Sequence, residues 1–194
     1  MTTRRYLQFG AAVLVVGGLA WVAMRGLDRL VGGRPDAQQT GSEPAAPPAG
    51  VPHITATLFY GSADGEALIP VRREVALAEG IVPQAREILT AQFQGAPAPH
   101  LSVIPEGTTL RAFYVTDRGD AFVDLSGEAS AKHPGGSSTE LLTVFAIVSA
   151  VTANLPTVQR VQILINGQEV DTLAGHVDLR RPLERDVSLL REER

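Results

Sequence analysis

The sequence predicts an α+β fold in which two helices pack on one face of a mostly antiparallel sheet, preceded by one N-terminal transmembrane helix. Three observations carry this prediction: an apolar segment near the N-terminus, about six segments with strand-like alternation, and two segments with helical periodicity. The chain has 194 residues, which suits one domain of ordinary size and an additional region.

Composition excludes several classes of protein. With 44% hydrophobic and 20% charged residues, the chain is neither wholly disordered nor a polytopic membrane protein. The absence of cysteine excludes disulfides, a thiol nucleophile, a cysteine-ligated metal and a lipid-modified N-terminal cysteine. The net charge of −4 gives no support for nucleic-acid binding.

Residues 6–24 contain no charged side chain, and arginines flank them on both sides. As a helix this segment would be about 28 Å long, close to the roughly 30 Å of bilayer hydrocarbon. We predict an uncleaved single-span anchor within residues 1–31. A cleaved signal peptide, with Gly18-Leu19-Ala20 as its nearest cleavage motif, is the alternative.

A spacer and a domain are predicted after the anchor. Residues 32–52 hold five proline, four glycine and four alanine residues, a composition typical of a mobile to semi-extended linker. The domain covers residues 53–183, and the charge-rich residues 184–194 predict a solvated tail or a short surface helix. Flanking charges do not decide the orientation, but very short N-terminal tails usually stay inside, so we expect the domain outside the cytoplasmic membrane.

Hydrophobic periodicity places the elements of the domain. Helices are predicted from Pro83 to a C-terminal cap at Gly95 and over residues 137–155. Ser137 and Glu140 have the spacing of a capping box. Strands are predicted over residues 53–60, 67–78 (bent or broken at Pro70), 109–116, 121–125, 158–165 and 168–173. Asn166-Gly167 lies between the last two and predicts a tight hairpin.

The sequence contains no recognised catalytic or metal-binding motif. The four histidines are separated by 47, 33 and 43 residues, which matches no ligand spacing, so we expect no metal and no cofactor. A serine triad could be composed of Ser126, either His133 or His176, and Asp178, but any chain of this size allows such a combination. Residues 135–138 (GGSS) could present N–H groups to an anion, but a flexible helix entry is the favoured interpretation.

Five segments, in order, resemble the GerMN domain family, which is named for sporulation and spore germination. They lie within residues 54–183, two-thirds of the chain: 103–111, 121–126, 135–137 with Glu140, 161–167, and 173–179 followed by 181–183. Each segment alone is unspecific, whereas five in the same order are a strong match.

The resemblance implies a single-copy, envelope-exposed module that is not an enzyme and contributes to cell-envelope assembly. Relatives are tethered by an N-terminal lipid or span, and the fold resembles the ring-building motifs of secretion channels. The implied partners are cell-envelope proteins or peptidoglycan, with self-association left open and no nucleic acid. The alternative function is a peptidoglycan-binding module or an accessory to a cell-wall hydrolase, and a hydrolase is a third hypothesis.

Five residues are candidates for an interaction or structural motif: Glu106, Asp124, Gly175, His176 and Asp178. Glu106 belongs to a predicted turn, and Gly175 is expected to adopt a positive φ. For His176 and Asp178 the structural interpretation is favoured: His176 would satisfy a main-chain group, and Asp178 would cap or pair with Arg180 or Arg181. A partner surface is expected near the loops 96–108 and 128–136.

Overall fold

A computed structural model of the protein describes residues 50–192. Six strands and three α-helices follow one another in these residues, together with one short 3-10 helix. In chain order they are β1 (His53–Gly61), β2 (Leu68–Ala76), α1 (Ile81–Phe93), β3 (Leu110–Val115), β4 (Asp120–Leu125), α2 (Glu128–Ala131), α3 (Ser137–Asn154), β5 (Arg160–Ile165), β6 (Gln168–Glu169) and the 3-10 helix Val187–Leu189.

The α+β class is confirmed, but the strands form two sheets rather than the single predicted sheet. An antiparallel β1–β2 ladder stands apart from a four-stranded sheet of order β3-β4-β5-β6. The β4–β5 pair is parallel, because α3 forms the crossover between these strands. A third helix, the four-residue α2, adds to the two that the sequence predicts.

The outer edge of β1 explains why the two sheets remain separate. The side-chain amide of Gln92 donates to the carbonyl of Phe59 at 2.6 Å and accepts its N–H at 2.9 Å. Asn154 makes the same pair of hydrogen bonds with Thr57, at 2.7 and 2.8 Å. Because these amides satisfy the outward main-chain groups of β1, another strand has no free partner there.

The core lies between the helices and the two sheets. Helix α3 contacts β1, β5 and α1, and α1 contacts β1, β2 and β3. Ile88 and Leu89 of α1 and Ile147, Val148 and Val151 of α3 are fully buried, as the helical spacing of apolar residues predicts.

The predicted capping box at the start of α3 is wrong. Gly136, with φ 89°, is the N-cap, and no side chain caps the helix. Ser137 is already the first helical residue, so its hydroxyl is not placed to accept from the first turn. Glu140 does not bond to the cap either, because its carboxylate is buried against residues 173–176.

The turn predictions mostly agree with the structure. Asn166 and Gly167 have φ values of 52° and 79° and close the β5–β6 hairpin, as predicted. Strand β6 is only two residues long, shorter than expected. Strand β2 passes through Pro70 unbroken because the nitrogen of Pro70 faces away from β1 and no ladder hydrogen bond is lost.

The predicted span at residues 6–24 and nearly all of the predicted linker lie outside the described residues. Within residues 50–192, no helix has both the length and the apolar character that crossing a membrane requires.

Candidate functional site

The first turn of α3 holds a buried carboxylate on which one loop is organised. Oε1 of Glu140 accepts the N–H groups of Leu173 and Ala174, both at 2.8 Å, and Oε2 accepts that of His176, also at 2.8 Å. Nδ1 of His176 lies 3.1 Å from the same Oε2. Glu140 therefore fixes the loop 173–177 against the end of the helix.

The environment of Glu140 keeps its carboxyl ionised. Burial raises the pKa of this group. Hydrogen bonds from main-chain N–H groups lower the pKa by more than burial raises it, so the pKa of Glu140 lies below its ordinary value. The donors are Ala174, His176, Val177 and Leu173. The positive end of α3 acts in the same direction.

His133 lies beside this cluster and is held in one tautomer. Its Nδ1 accepts the N–H of Gly135 at 3.0 Å, so in the neutral ring the proton is on Nε2, which lies 3.2 Å from Oγ1 of Thr143. Burial lowers the pKa of His133, although the nearby charge of Glu140 opposes this shift.

Of the five candidate residues, the structure brings Gly175 and His176 together in the loop on Glu140. Gly175 has φ 101°, as expected. Asp178 follows in sequence, but its exposed carboxylate pairs with Arg180 at 2.9 and 2.7 Å, one of the two arginines expected. Hydrogen bonds from the Arg180 side chain hold the pKa of Asp178 well below its ordinary value.

The remaining two candidates lie elsewhere. Asp124 is buried on β4, where Oδ1 accepts the N–H of Gly167 at 2.7 Å and Oδ2 lies 3.2 Å from Nε of Arg111. It therefore ties the β5–β6 turn to the neighbouring strand. Glu106 is exposed in the turn in which the N–H of Thr108 donates to the carbonyl of Pro105 at 3.2 Å.

The structure does not assemble the serine triad considered from the sequence. The hydroxyl of Ser126 accepts the N–H of Thr109 at 3.1 Å, whereas Asp178 is paired with Arg180. In the part of the chain that the structure describes, no group of three or more histidine, aspartate or glutamate residues is placed to hold a metal ion.

An open groove of about 620 Å³ lies beside the loop 96–108. Pro99 and His100 line it, and His100 stacks on the ring of Tyr60 at 6.4 Å. Two of its charged lining residues pair with each other, since Nη1 of Arg191 lies 2.6 Å from Oδ2 of Asp64, and Glu192 adds a further carboxylate. The groove thus lies at one of the two loops where a partner surface is expected.

Sequence reasoning missed the structural roles of Gln92, Asn154 and Glu140. Each acts on main-chain groups 33 to 97 positions away in the chain, so no local pattern could reveal them. The only available signal was the presence of a polar side chain on an otherwise apolar helix face.

Comparison with solved structures supports the fold. A candidate lipoprotein from Clostridium perfringens is 24% identical, with a TM-score of 0.50, over 70% of this chain and 89% of the other. The tandem GerMN domains of the sporulation protein GerM from Bacillus subtilis are 15% identical, with a TM-score of 0.52, over 70% of this chain and 46% of theirs. This chain thus spans about half the length of that tandem structure. No curated protein matches the chain significantly.

A family model gives the identification. The model described as Germane, sporulation and spore germination, matches residues 57–171, more than half of the chain. This range runs from β1 to just beyond β6 and contains Asp124 and Glu140. The resemblance stated from the sequence is confirmed, and the chain belongs to the Germane family of sporulation and spore germination domains.

Proposed function

We propose that this protein is a membrane-attached, extracytoplasmic interaction module that contributes to cell-envelope assembly and performs no catalysis itself. One observation carries the proposal: the polar side chains that could do chemistry are engaged in holding the fold. Glu140 binds the loop 173–176, Asp124 binds the β5–β6 turn, and Asp178 is paired with its neighbour Arg180. A domain whose polar groups stabilise the fold in this way is suited to binding a partner rather than to catalysis.

Membrane attachment is supported by two independent features. The sequence predicts a span at residues 6–24 and a spacer at residues 32–52. A structural neighbour is described as a candidate lipoprotein, a class of protein that is held at a membrane by its N-terminus. The predicted span would replace the lipid, since this chain has no cysteine to modify.

Protease treatment of spheroplasts tests location. The domain should be digested in intact spheroplasts, while a cytoplasmic marker survives until detergent is added. A variant lacking residues 6–24 should leave the membrane fraction. Digestion of the domain only after lysis would refute the outward orientation.

Affinity capture tests the interaction. The full chain, solubilised in mild detergent from envelope membranes after cross-linking, should recover specific envelope proteins. A matched bait that carries only residues 1–52 controls for partners of the span and spacer. Identical recovery by both baits would remove the domain from the proposal.

Peptidoglycan binding is the second candidate, favoured by an exposed tyrosine beside a half-buried phenylalanine. Tyr114 on β3 is 60% exposed and lies opposite Phe122 of β4 on the sheet face away from the core. Aromatic rings with one polar end suit contact with sugar faces at a wet surface. Sedimentation with purified sacculi should then fall for Tyr114→Ala but not for Leu101→Ala, which truncates an exposed apolar residue elsewhere. Equal sedimentation of both variants would reject this surface.

A further inference from the structure

The ladder between β1 and β2 determines which main-chain groups of β2 face outward. The N–H of Leu77 donates to the carbonyl of Pro52 at 2.8 Å, so the odd-numbered residues of β2 make the hydrogen-bonded pairs with β1. The main-chain N–H and C=O groups of Arg72 and Glu74 consequently point away from β1, as does the carbonyl of Pro70.

Both ends of this outer edge are covered, and its middle is open. The carbonyl of Leu68 accepts the N–H of Arg191 at 2.9 Å, and that of Ala76 accepts Nε2 of Gln84 at 3.1 Å. Between them the side chains of Pro70, Arg72 and Glu74 are exposed. Within residues 50–192, no group is found bonded to the outward main chain of Arg72 or Glu74. An open edge of this kind is a template for another strand.

We propose that β2 pairs antiparallel with β2 of a second copy of this chain, around a two-fold axis at Arg73. In this register Arg72 lies directly opposite Glu74 of the second copy, and the symmetry repeats the pair. Opposite charges at directly facing positions stabilise antiparallel strands, whereas like charges destabilise them. The main-chain groups of Arg72 and Glu74 would form four hydrogen bonds with the same residues of the second copy.

The ends of the edge fit the same register. Pro70, which has no N–H, would face Ala76 of the second copy, whose carbonyl is already bonded to Gln84. The carbonyl of Pro70 would accept the free N–H of that Ala76. No outward donor or acceptor between residues 70 and 76 is then left without a partner.

The neighbouring registers are less favourable. Only the even-numbered residues of β2 direct their main-chain N–H and C=O groups away from β1. The two-fold axis can therefore move only to positions that keep even-numbered residues opposite one another. The axis at Arg73 places one arginine, Arg73, opposite itself, but this register gains two Arg72–Glu74 pairs. An axis at Arg72 likewise places one arginine opposite itself but gains no oppositely charged pair. Pro70 then faces Glu74, whose carbonyl gains no donor. An axis at Glu74 places two carboxylates opposite each other.

This surface gives the proposed interaction module a specific partner, a second copy of the chain. The pairing itself does not depend on the proposed function, but its use in the envelope does. The pairing covers seven residues on each copy, a small contact area, so the dimer is expected to be weak and concentration-dependent. Attachment of many copies to one membrane would raise their effective concentration.

A charge-reversal cycle tests the pairing on the full chain in mild detergent, followed by analytical ultracentrifugation up to about 1 mM, where very weak dimers become visible. R72E and E74R should each weaken the dimer about tenfold or more, because each places like charges opposite one another twice. The double variant R72E/E74R should restore it, since the exchanged charges again face their opposites. A monomeric wild-type chain at that concentration, or a double variant no better than the single ones, would overturn the proposal.

Cross-linking locates the axis. The chain has no cysteine, so Arg73→Cys introduces a single thiol that meets its own copy at a pair separated by about 4.5 Å between Cα atoms. Oxidation should link this variant into dimers and leave the exposed control Glu79→Cys largely unlinked. Linking of the control instead would place any dimer at another surface. Recovery of envelope partners by a chain that fails both tests would refute the pairing and leave the proposed function intact.

Discussion

The carboxylate of Glu140 is buried at the first turn of α3 and accepts three main-chain hydrogen bonds from the loop 173–176. In Glu140→Gln an amide N–H₂ must replace one acceptor oxygen and will face either His176 or the Leu173–Ala174 pair of donors. We expect the free energy of unfolding to fall by about 2–3 kcal/mol, because one buried and two part-buried N–H groups lose a charged partner. Urea denaturation measures the change.

Glu106→Gln is the matched control, because it makes the same substitution at an exposed residue. Its effect should be within about 0.5 kcal/mol. The stability difference between the wild type and Glu140→Gln should also depend on pH. Since the folded pKa of Glu140 lies below the ordinary 4.5, its contribution is present above pH 4.5 and is lost as the pH falls through the folded pKa. A difference that stays constant down to pH 2 would contradict this account.

His133 provides a second prediction at the residue scale. Burial lowers its pKa, and the N–H of Gly135 occupies Nδ1, so protonation must break that hydrogen bond. The folded state therefore favours the neutral ring, and stability should decline as the pH falls from the ordinary 6.5 through the folded pKa. Nitrogen chemical shifts should report the Nε2–H tautomer at pH 7. An Nδ1–H tautomer would show that the Gly135 contact is absent.

At the scale of elements, strand β1 depends on side chains from two helices. Gln92→Leu leaves a side chain of similar volume on α1 but removes the amide, so the main-chain N–H and C=O of Phe59 remain buried without partners. We expect a loss of about 2–4 kcal/mol in the free energy of unfolding. Gln94→Leu, the same substitution at the exposed C-cap of α1, should have little effect. Equal losses from both substitutions would mean that the Gln92 amide does not stabilise the edge of β1 through the main chain of Phe59.

The turn between β3 and β4 contains a glycine that is constrained twice. Gly119 has φ 81°, and a Cβ built on it would lie 2.7 Å from the carbonyl oxygen of Thr157. Gly65 has a similar φ of 72° but open space around it. Gly65→Ala should cost about 1 kcal/mol from backbone strain alone, and Gly119→Ala clearly more. Thermal unfolding of the two variants separates the effect of backbone strain from that of the steric clash with Thr157. Equal decreases in melting temperature would argue against this close approach.

The elements that could be predicted are those whose signals are local. The apolar stripe of α3 and the Asn166-Gly167 turn depend on neighbours in sequence, and both are found as expected. The division into two sheets could not be predicted, because it depends on Gln92 and Asn154 reaching β1 across 33 and 97 positions. For the same reason Glu140 was assigned to a local cap, although it serves a distant loop.

At the scale of the whole molecule, the C-terminal segment reaches both sheets. Leu183 bridges to Val161 of β5, and Leu190 bridges to Leu68 of β2. Residues 184–194 are predicted as a solvated tail or a short surface helix. Their described part, 184–192, contains the 3-10 helix Val187–Leu189 and Arg191, which pairs with Asp64, so part of this segment belongs to the fold.

Truncation after residue 185 tests this role. It removes Leu190 and Arg191, and with them the hydrogen bond to the carbonyl of Leu68 and the ion pair with Asp64, but keeps the contact between Leu183 and Val161. We expect the free energy of unfolding to fall by about 2 kcal/mol, and hydrogen exchange to accelerate in β2 more than in β4 or β5. Truncation after residue 192 retains all of these contacts and should match the full chain. Because the shorter variant removes no hydrogen bond or ion pair described for the four-stranded sheet, equal acceleration in both sheets would contradict a local role for this segment.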